Sequence, residues 1–144
     1  MKNITITIPT PEDIPLMRKW GEENKELHAY EGSSWHSEKA LRDWITNPKD
    51  DLILVAKVDD KTVGMCMVYV LREWAYCSAL FVKKGFRKMG IGKLLLKHAY
   101  AHVDKKGIRG LHLVTNKAVD FYTHLGFTKR YTFTWMRKNV KEKI

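Results

Sequence analysis

The chain has 144 residues, 44% hydrophobic and 29% charged, which fits one compact globular domain and indicates neither a disordered chain nor a membrane protein. No apolar run approaches the roughly 18 residues a membrane span needs, and the start Met1-Lys2-Asn3-Ile4 alternates where a secretory leader would run apolar, so a cytoplasmic protein is expected. The net charge of +10 is uneven: residues 1–60 hold 8 Lys/Arg against 12 Asp/Glu, a net −4, whereas residues 61–144 hold 18 against 4, a net +14 that should face an anion.

Read in chain order, Ile4, Ile6 and Ile8 alternate with Asn3, Thr5 and Thr7 as a half-buried strand does, and Pro9-Thr10-Pro11 ends it. Thr10 is placed to cap a helix with Pro11 in its first turn, carried by Ile14, Leu16, Met17 and Trp20 and stopped at Gly21. Residues 24–36 read as irregular around Gly32-Ser33-Ser34, and a second helix follows from the cap Ser37 to Asn47. A strand is predicted over 52–58, a turn at Asp59-Asp60-Lys61, its hairpin partner over 62–72 and a further strand over 74–82. Over 90–106, Ile91, Leu94, Leu95, His98, Ala99, His102 and Val103 fall at helical spacing, with Gly107 as the stop. A short buried strand over 111–115, a short helix over 117–125 closed by Gly126, and final strands over 127–137 complete the series. No repeat or linker divides it, so residues 1–144 are expected to form a single α/β domain around a mixed sheet. Cys66 and Cys77 lie in strand-like apolar stretches without a histidine or cysteine at ligand spacing, so buried reduced thiols and no metal are expected.

The passage from Leu80-Phe81-Val82 through Arg87-Lys88-Met89-Gly90-Ile91-Gly92-Lys93 runs from a strand, through a basic loop, into an amphipathic helix. The first N–H groups of a helix lack intrahelical partners and the helix dipole makes that end positive, so an anion is favoured there. Gly90 and Gly92 let phosphate oxygens approach the backbone, and Arg87, Lys88 and Lys93 add charge, which together suit a diphosphate. The spacing is neither a Walker A loop nor the dinucleotide fingerprint. Arg87-Lys88-Met89-Gly90-Ile91-Gly92 is similar instead to the motif of the GNAT superfamily of acetyl-CoA-dependent N-acetyltransferases: Gln or Arg, two residues, Gly, any residue, then Gly or Ala. A second motif of that family, Ala, two residues, Phe-Tyr, three residues, Gly-Phe, resembles Ala118-Val119-Asp120-Phe121-Tyr122-Thr123-His124-Leu125-Gly126-Phe127. The resemblance covers nearly the whole chain and implies the GNAT fold, a mixed sheet with helices on both faces, and acetyl-CoA as cofactor.

By that resemblance Leu80, Phe81 and Val82 offer backbone to the pantetheine arm, Arg87, Lys88, Met89, Gly90, Ile91, Gly92 and Lys93 hold the diphosphate, and Tyr122 protonates the departing thiolate. A phenol, with a pKa of about 10, carries that proton at neutral pH. The family's asparagine on the arm has Thr115 in its place, with Asn116 next to it, and its strand glutamate is replaced by Tyr76. Glu31, Glu73, His112 and a water chain therefore stay open as routes for the acceptor's proton. Tyr30, Glu31, Trp35 and His36 fall where the family builds its acceptor wall, and Glu73 is a further substrate candidate. The sequence thus predicts transfer of acetyl to a primary amine by direct attack, and the acidic first 60 residues favour a cationic small molecule or peptide. A non-catalytic acyl-CoA-binding module is the alternative. Aromatics interleaved with lysines, which a nucleic-acid binder needs, are not found in the basic loop, and a homodimer is left open.

Overall fold

The structure is a computed structural model that describes residues 3–27, 35–115 and 117–130 together with 134, 136, 138, 140 and 141. Residues up to Leu113 form one compact unit, and those from Val114 onward a second, smaller one. The larger unit is built on a five-stranded sheet of β1 (Ile4–Thr7), β2 (Leu52–Val58), β3 (Lys61–Leu71), β4 (Trp74–Val82) and β5 (Gly110–His112), in that spatial order. The first four strands are antiparallel neighbours and β5 runs parallel to β4. Asp59 and Asp60, both at positive φ, make the tight turn between β2 and β3.

Strand alternation divides the core. Ile53, Val55, Met65 and Met67 pack with Ile14, Met17 and Trp20 of α1 (Ile14–Glu23) and with Leu41 and Trp44 of α2 (Glu38–Thr46). Leu54, Ala56, Gly64 and Cys66 have the opposite parity, and a Cβ on Gly64 would lie 3.4 Å from Leu95 of α3 (Ile91–Lys105). Helices therefore cover both faces of the sheet, as expected. Each fully buried aliphatic side chain in these layers contributes roughly 1.5–3 kcal/mol. The two cysteines are buried and free with their sulfurs 3.9 Å apart, and the Cys77 hydrogen bond together with burial pushes the Cys66 thiol well up.

Helix boundaries follow from individual side chains. Ser37 caps α2 by accepting from the Ala40 N–H at 3.1 Å. Residues Pro11–Asp13 form a separate 3-10 turn, because Asp13 folds back to accept from the Thr10 N–H at 2.9 Å and from the Thr62 hydroxyl at 2.7 Å. The expected stop at Gly21 does not occur, and α1 continues to Glu23. Gly21 is there for packing: a Cβ would lie 2.0 Å from the Trp35 ring, which closes on α1 at that point. Strand β5 ends at His112, short of the expected 115. The segment 24–36 is described only as far as residue 27 and from 35, with Lys25–Leu27 in a 3-10 turn. Of the strands expected over 127–137, residues 127–130 have no regular structure and most of the rest lie outside the described residues.

Candidate active site

The strand that organises the larger unit's site is β4. Its partners in β3 run Val68 to Cys77 and then Met67 to Ala79, so Ser78 is an extra residue, a bulge, with its hydroxyl 3.4 Å from the Met67 carbonyl. Strand β5 pairs only with Trp74, Ala75 and Tyr76, just before the bulge. Beyond it, residues 79–82 keep β3 on one side and, among the described residues, no strand on the other. The Lys83 N–H donates to the Val63 carbonyl at 2.7 Å, so Phe81, of the same parity, also faces β3. Leu80 and Val82 thus turn their N–H and C=O groups to the open edge.

The edge leads into the basic loop. Lys88 and Gly90 both have positive φ, 63° and 81°, and Gly90 is the N-cap of α3 without a side-chain cap. Backbone that alternates in this way turns successive N–H groups toward one point, making a concave anion site. The N–H groups of Ile91, Gly92 and Lys93 open the helix and have no carbonyl four residues back within it. Lys88, Met89 and Lys93 are exposed there. The Arg87 side chain is committed elsewhere: its Nε donates to the Val82 carbonyl at 2.8 Å and its guanidinium lies over the Phe81 ring at 5.6 Å. The residues present thus fit a diphosphate through backbone N–H groups and two lysines, with the Arg87 head braced on the strand.

Two of the four residues expected at the acceptor wall, Trp35 and His36, are among the described residues. Trp35 is buried in the core, its N–H donating to Glu22 at 3.2 Å, and its ring meets His36 edge-on at 5.0 Å. His36 meets Trp44 edge-on at 5.8 Å, and Trp44 stacks on Tyr69 at 4.6 Å. Tyr69 pairs across the strands with Tyr76, the last residue before β5 leaves. Burial lowers His36 and raises Tyr69 and Tyr76 from their ordinary values, so at neutral pH the imidazole is uncharged and the phenols keep their protons. Glu73 is exposed at the start of β4, 3.5 Å from Arg109, which also covers the Trp74 ring. It lies about 23 Å along the strand from Leu80, and this separates it from the open edge. His112 packs on Trp74 at 4.8 Å. Tyr30 and Glu31 lie outside the described residues, as does Asn116. The sequence carried no sign of the Ser78 bulge or of the Trp44–Tyr69 stack, whose members are far apart in the chain.

In the smaller unit, Thr115 accepts from the Ala118 N–H at 3.1 Å at the start of α4 (Val119–His124). Tyr122 is half-buried, with Phe121 and Phe127 rings edge-on at 5.1 and 5.5 Å. The Phe127 N–H donates to the Tyr122 carbonyl at 3.0 Å and Gly126, at φ 93°, makes that return. The Phe-Tyr and Gly-Phe halves of the motif therefore form one folded element.

A family model described as an acetyltransferase (GNAT) domain matches residues 49–129. The chain belongs to the GNAT family. The GNAT domain is an acyltransferase domain, and its donor is acetyl-CoA. An uncharacterised N-acetyltransferase of Methanocaldococcus jannaschii is 32% identical over 106 residues, covering 65% of this chain and 47% of that protein. The chain thus spans about half the length of the curated relative it matches. Among solved structures, the PaiA N-acetyltransferase of Thermoplasma acidophilum in complex with coenzyme A has a TM-score of 0.78 at 25% identity, over 91% of this chain and 93% of that one. An aminoglycoside acetyltransferase from an uncultured soil metagenomic sample shares the GNAT fold, with a TM-score of 0.74 at 22% identity over 96% and 97%. Among the described residues no helix is long and apolar enough to cross a membrane.

Proposed function

We propose that the protein is a cytoplasmic N-acetyltransferase that moves acetyl from acetyl-CoA to a primary amine by direct attack, with residues 1–144 acting as one domain. The observation that carries this reading is the open edge of β4 running without a break into the positive-φ loop at the start of α3. Acetyl-CoA supplies an activated thioester. Leu80 and Val82 would pair with its pantetheine arm in the manner of an added strand, with Phe81 packed beneath them. The N–H groups of residues 87–93, with the charges of Lys88 and Lys93, would hold the diphosphate. Thr115 and Asn116 would hydrogen-bond the arm, and the Tyr122 hydroxyl would give its proton to the leaving sulfur.

Tyr30, Glu31, Trp35 and His36 would form the acceptor wall, with Trp35 fixing its base from within the core. Glu31, His112 and a water chain remain the proposed routes for the acceptor's proton, with the neutral ring of His36 beside the wall as a further one, while Glu73 is paired with Arg109 at the far end of β4. That an aminoglycoside acetyltransferase shares the fold supports an amine acceptor. The cationic acceptor suggested by the charge split has less support, because half of the first segment's carboxylates are committed. Asp13, Glu22, Asp51 and Asp59 accept from backbone N–H groups, and Glu38 and Asp50 pair with Arg42 and Lys106.

The test is a mass-spectrometric screen of the purified protein with acetyl-CoA against amino acids, peptides, polyamines and aminoglycosides, with free thiol measured in parallel. An acetylated amine matched by thiol release is the expected result. Binding of acetyl-CoA with neither product nor thiol would leave the non-catalytic module instead.

A further inference from the structure

On the α1 face of the sheet, beside the open edge of β4, lies a cleft of about 390 Å³. That is within the range of small-molecule sites. Its floor is apolar, made by Leu16, Trp20 and Phe81, with the Trp20 and Phe81 rings 5.1 Å apart. Around this floor stand Lys19, Lys83, Lys84 and Arg87, opposed by one carboxylate, Glu23. Among them Arg87 is pre-oriented. Its Nε is fixed on the Val82 carbonyl and its plane lies against Phe81, which leaves the rest of its planar fork of N–H donors to the cleft.

We infer that this cleft seats an anionic group, a carboxylate or a phosphate, carried by the acceptor, so that the acceptor is amine and anion in one small molecule. The inference rests on the acyl-transfer reading and deepens it. Two features separate the cleft from the cofactor's diphosphate site. It opens on the face where Phe81 packs with Trp20, whereas α3, whose first N–H groups would hold the diphosphate, packs against the other face at Gly64. Lys19 comes from α1 and is remote in sequence from the loop, so two separate elements converge on the same charge. Phe81 belongs both to the cleft floor and to the segment beyond the bulge, which sets a molecule in the cleft beside the strand that would carry the arm. A zwitterion also meets the requirement for an amine without calling on an acidic surface.

The experiment compares kcat/KM for a panel of α-, β- and γ-amino acids, each against its own carboxamide, and for phosphoethanolamine against ethanolamine. Wild type is compared with the Lys19→Glu, Lys84→Glu double variant, whose two positions are exposed and outside the proposed cofactor site. In at least one pair the anion should be preferred by about tenfold or more, as a charge-assisted hydrogen bond implies, and the pair that responds names the carboxylate or the phosphate. The double variant should lose that preference while its acetyl-CoA Kd by calorimetry stays within about twofold of wild type. Neutral partners favoured throughout would overturn the inference. So would an acetyl-CoA Kd weakened about tenfold with the preference intact, which would give the cleft to the cofactor. If no amine is acetylated, the acyl-transfer reading fails on its own, and the cleft is read by NMR titration with the same compounds. Shifts at residues 83–87 with the anions only, lost in the double variant, support the site, and their absence sinks it.

Discussion

Replacing Gly92 with aspartate should separate stability from cofactor binding, because the two respond with opposite sign. Gly92 is the second residue of α3, in helical conformation, where glycine costs roughly 0.5–1 kcal/mol relative to alanine. A carboxylate in the first turn also gains about 0.3–1 kcal/mol from the helix dipole. The free variant should therefore melt at or slightly above wild type, by about 2–4 °C per kcal/mol for a chain of this size. Coenzyme A should respond in the other direction. Unit charges about 4 Å apart repel by about 4 kcal/mol at an effective dielectric of about 20. The loop is exposed, and halving that figure for solvent and salt leaves about 2 kcal/mol, or roughly 30-fold in Kd. Gly92→Asn has nearly the same shape without the charge, so the Asp-to-Asn ratio isolates the Coulomb part. Calorimetric titration of coenzyme A into both variants, at low and high salt, measures it. The ratio should shrink as salt rises. A folded aspartate variant that binds coenzyme A as tightly as the asparagine variant would refute the placement of the diphosphate at the start of α3.

Tyr122→Phe should keep acetyl-CoA affinity and lower turnover by about 10²–10⁴-fold where chemistry limits the rate, since only the proton donor leaves a ring still packed by Phe121 and Phe127; an unchanged rate in single-turnover kinetics would assign the proton to water. Gly21→Ala, which in an exposed helix gains about 1 kcal/mol, should here cost about 1–3 kcal/mol in urea unfolding because the new Cβ meets the Trp35 ring, and a stabilised variant would contradict that contact. His36 is held below its ordinary 6.5 by burial, so its neutral ring supports the fold fully above pH 6.5. As pH falls below that value the unfolded chain takes the proton first and this contribution is lost. Urea midpoints measured from about pH 8 to about pH 5 should converge for wild type and His36→Gln at the acidic end, and parallel curves would remove His36 from the account.

Where local chemistry decides the structure, it was legible in the chain. The apolar runs placed β2 and β4 to the residue, Ser37 and Gly90 mark their helix starts as expected, and the positive φ at Gly90 explains why the loop motif carries a glycine there. Errors came where a partner remote in sequence sets the outcome. Gly21 reads as a stop until the Trp35 ring is seen against it. The length of β5 depends on where β4 bulges, and nothing in Tyr76-Cys77-Ser78-Ala79 announces a bulge. The charge split is a coarser guide, since segment totals count carboxylates already used in caps, turns and ion pairs, while Lys19 crosses the divide to line the same cleft as the basic loop.

The bulge at Ser78 makes the opening in this sheet a matter of chain length and not of side-chain identity. Any residue at that position keeps the strand one unit too long for its partner, so Ser78→Ala should leave the opening as it is. Deleting Ser78 acts differently: Cys77 and Ala79 would then follow one another in regular alternation, still opposite Val68 and Met67 and still on their native sides. Every buried neighbour is retained, yet the bend that releases β5 is gone, and the two strands are free to zip further along their length. A one-residue deletion should thus yield a well-formed protein without the free edge proposed for the pantetheine arm, a feature that surveys restricted to substitutions would never detect.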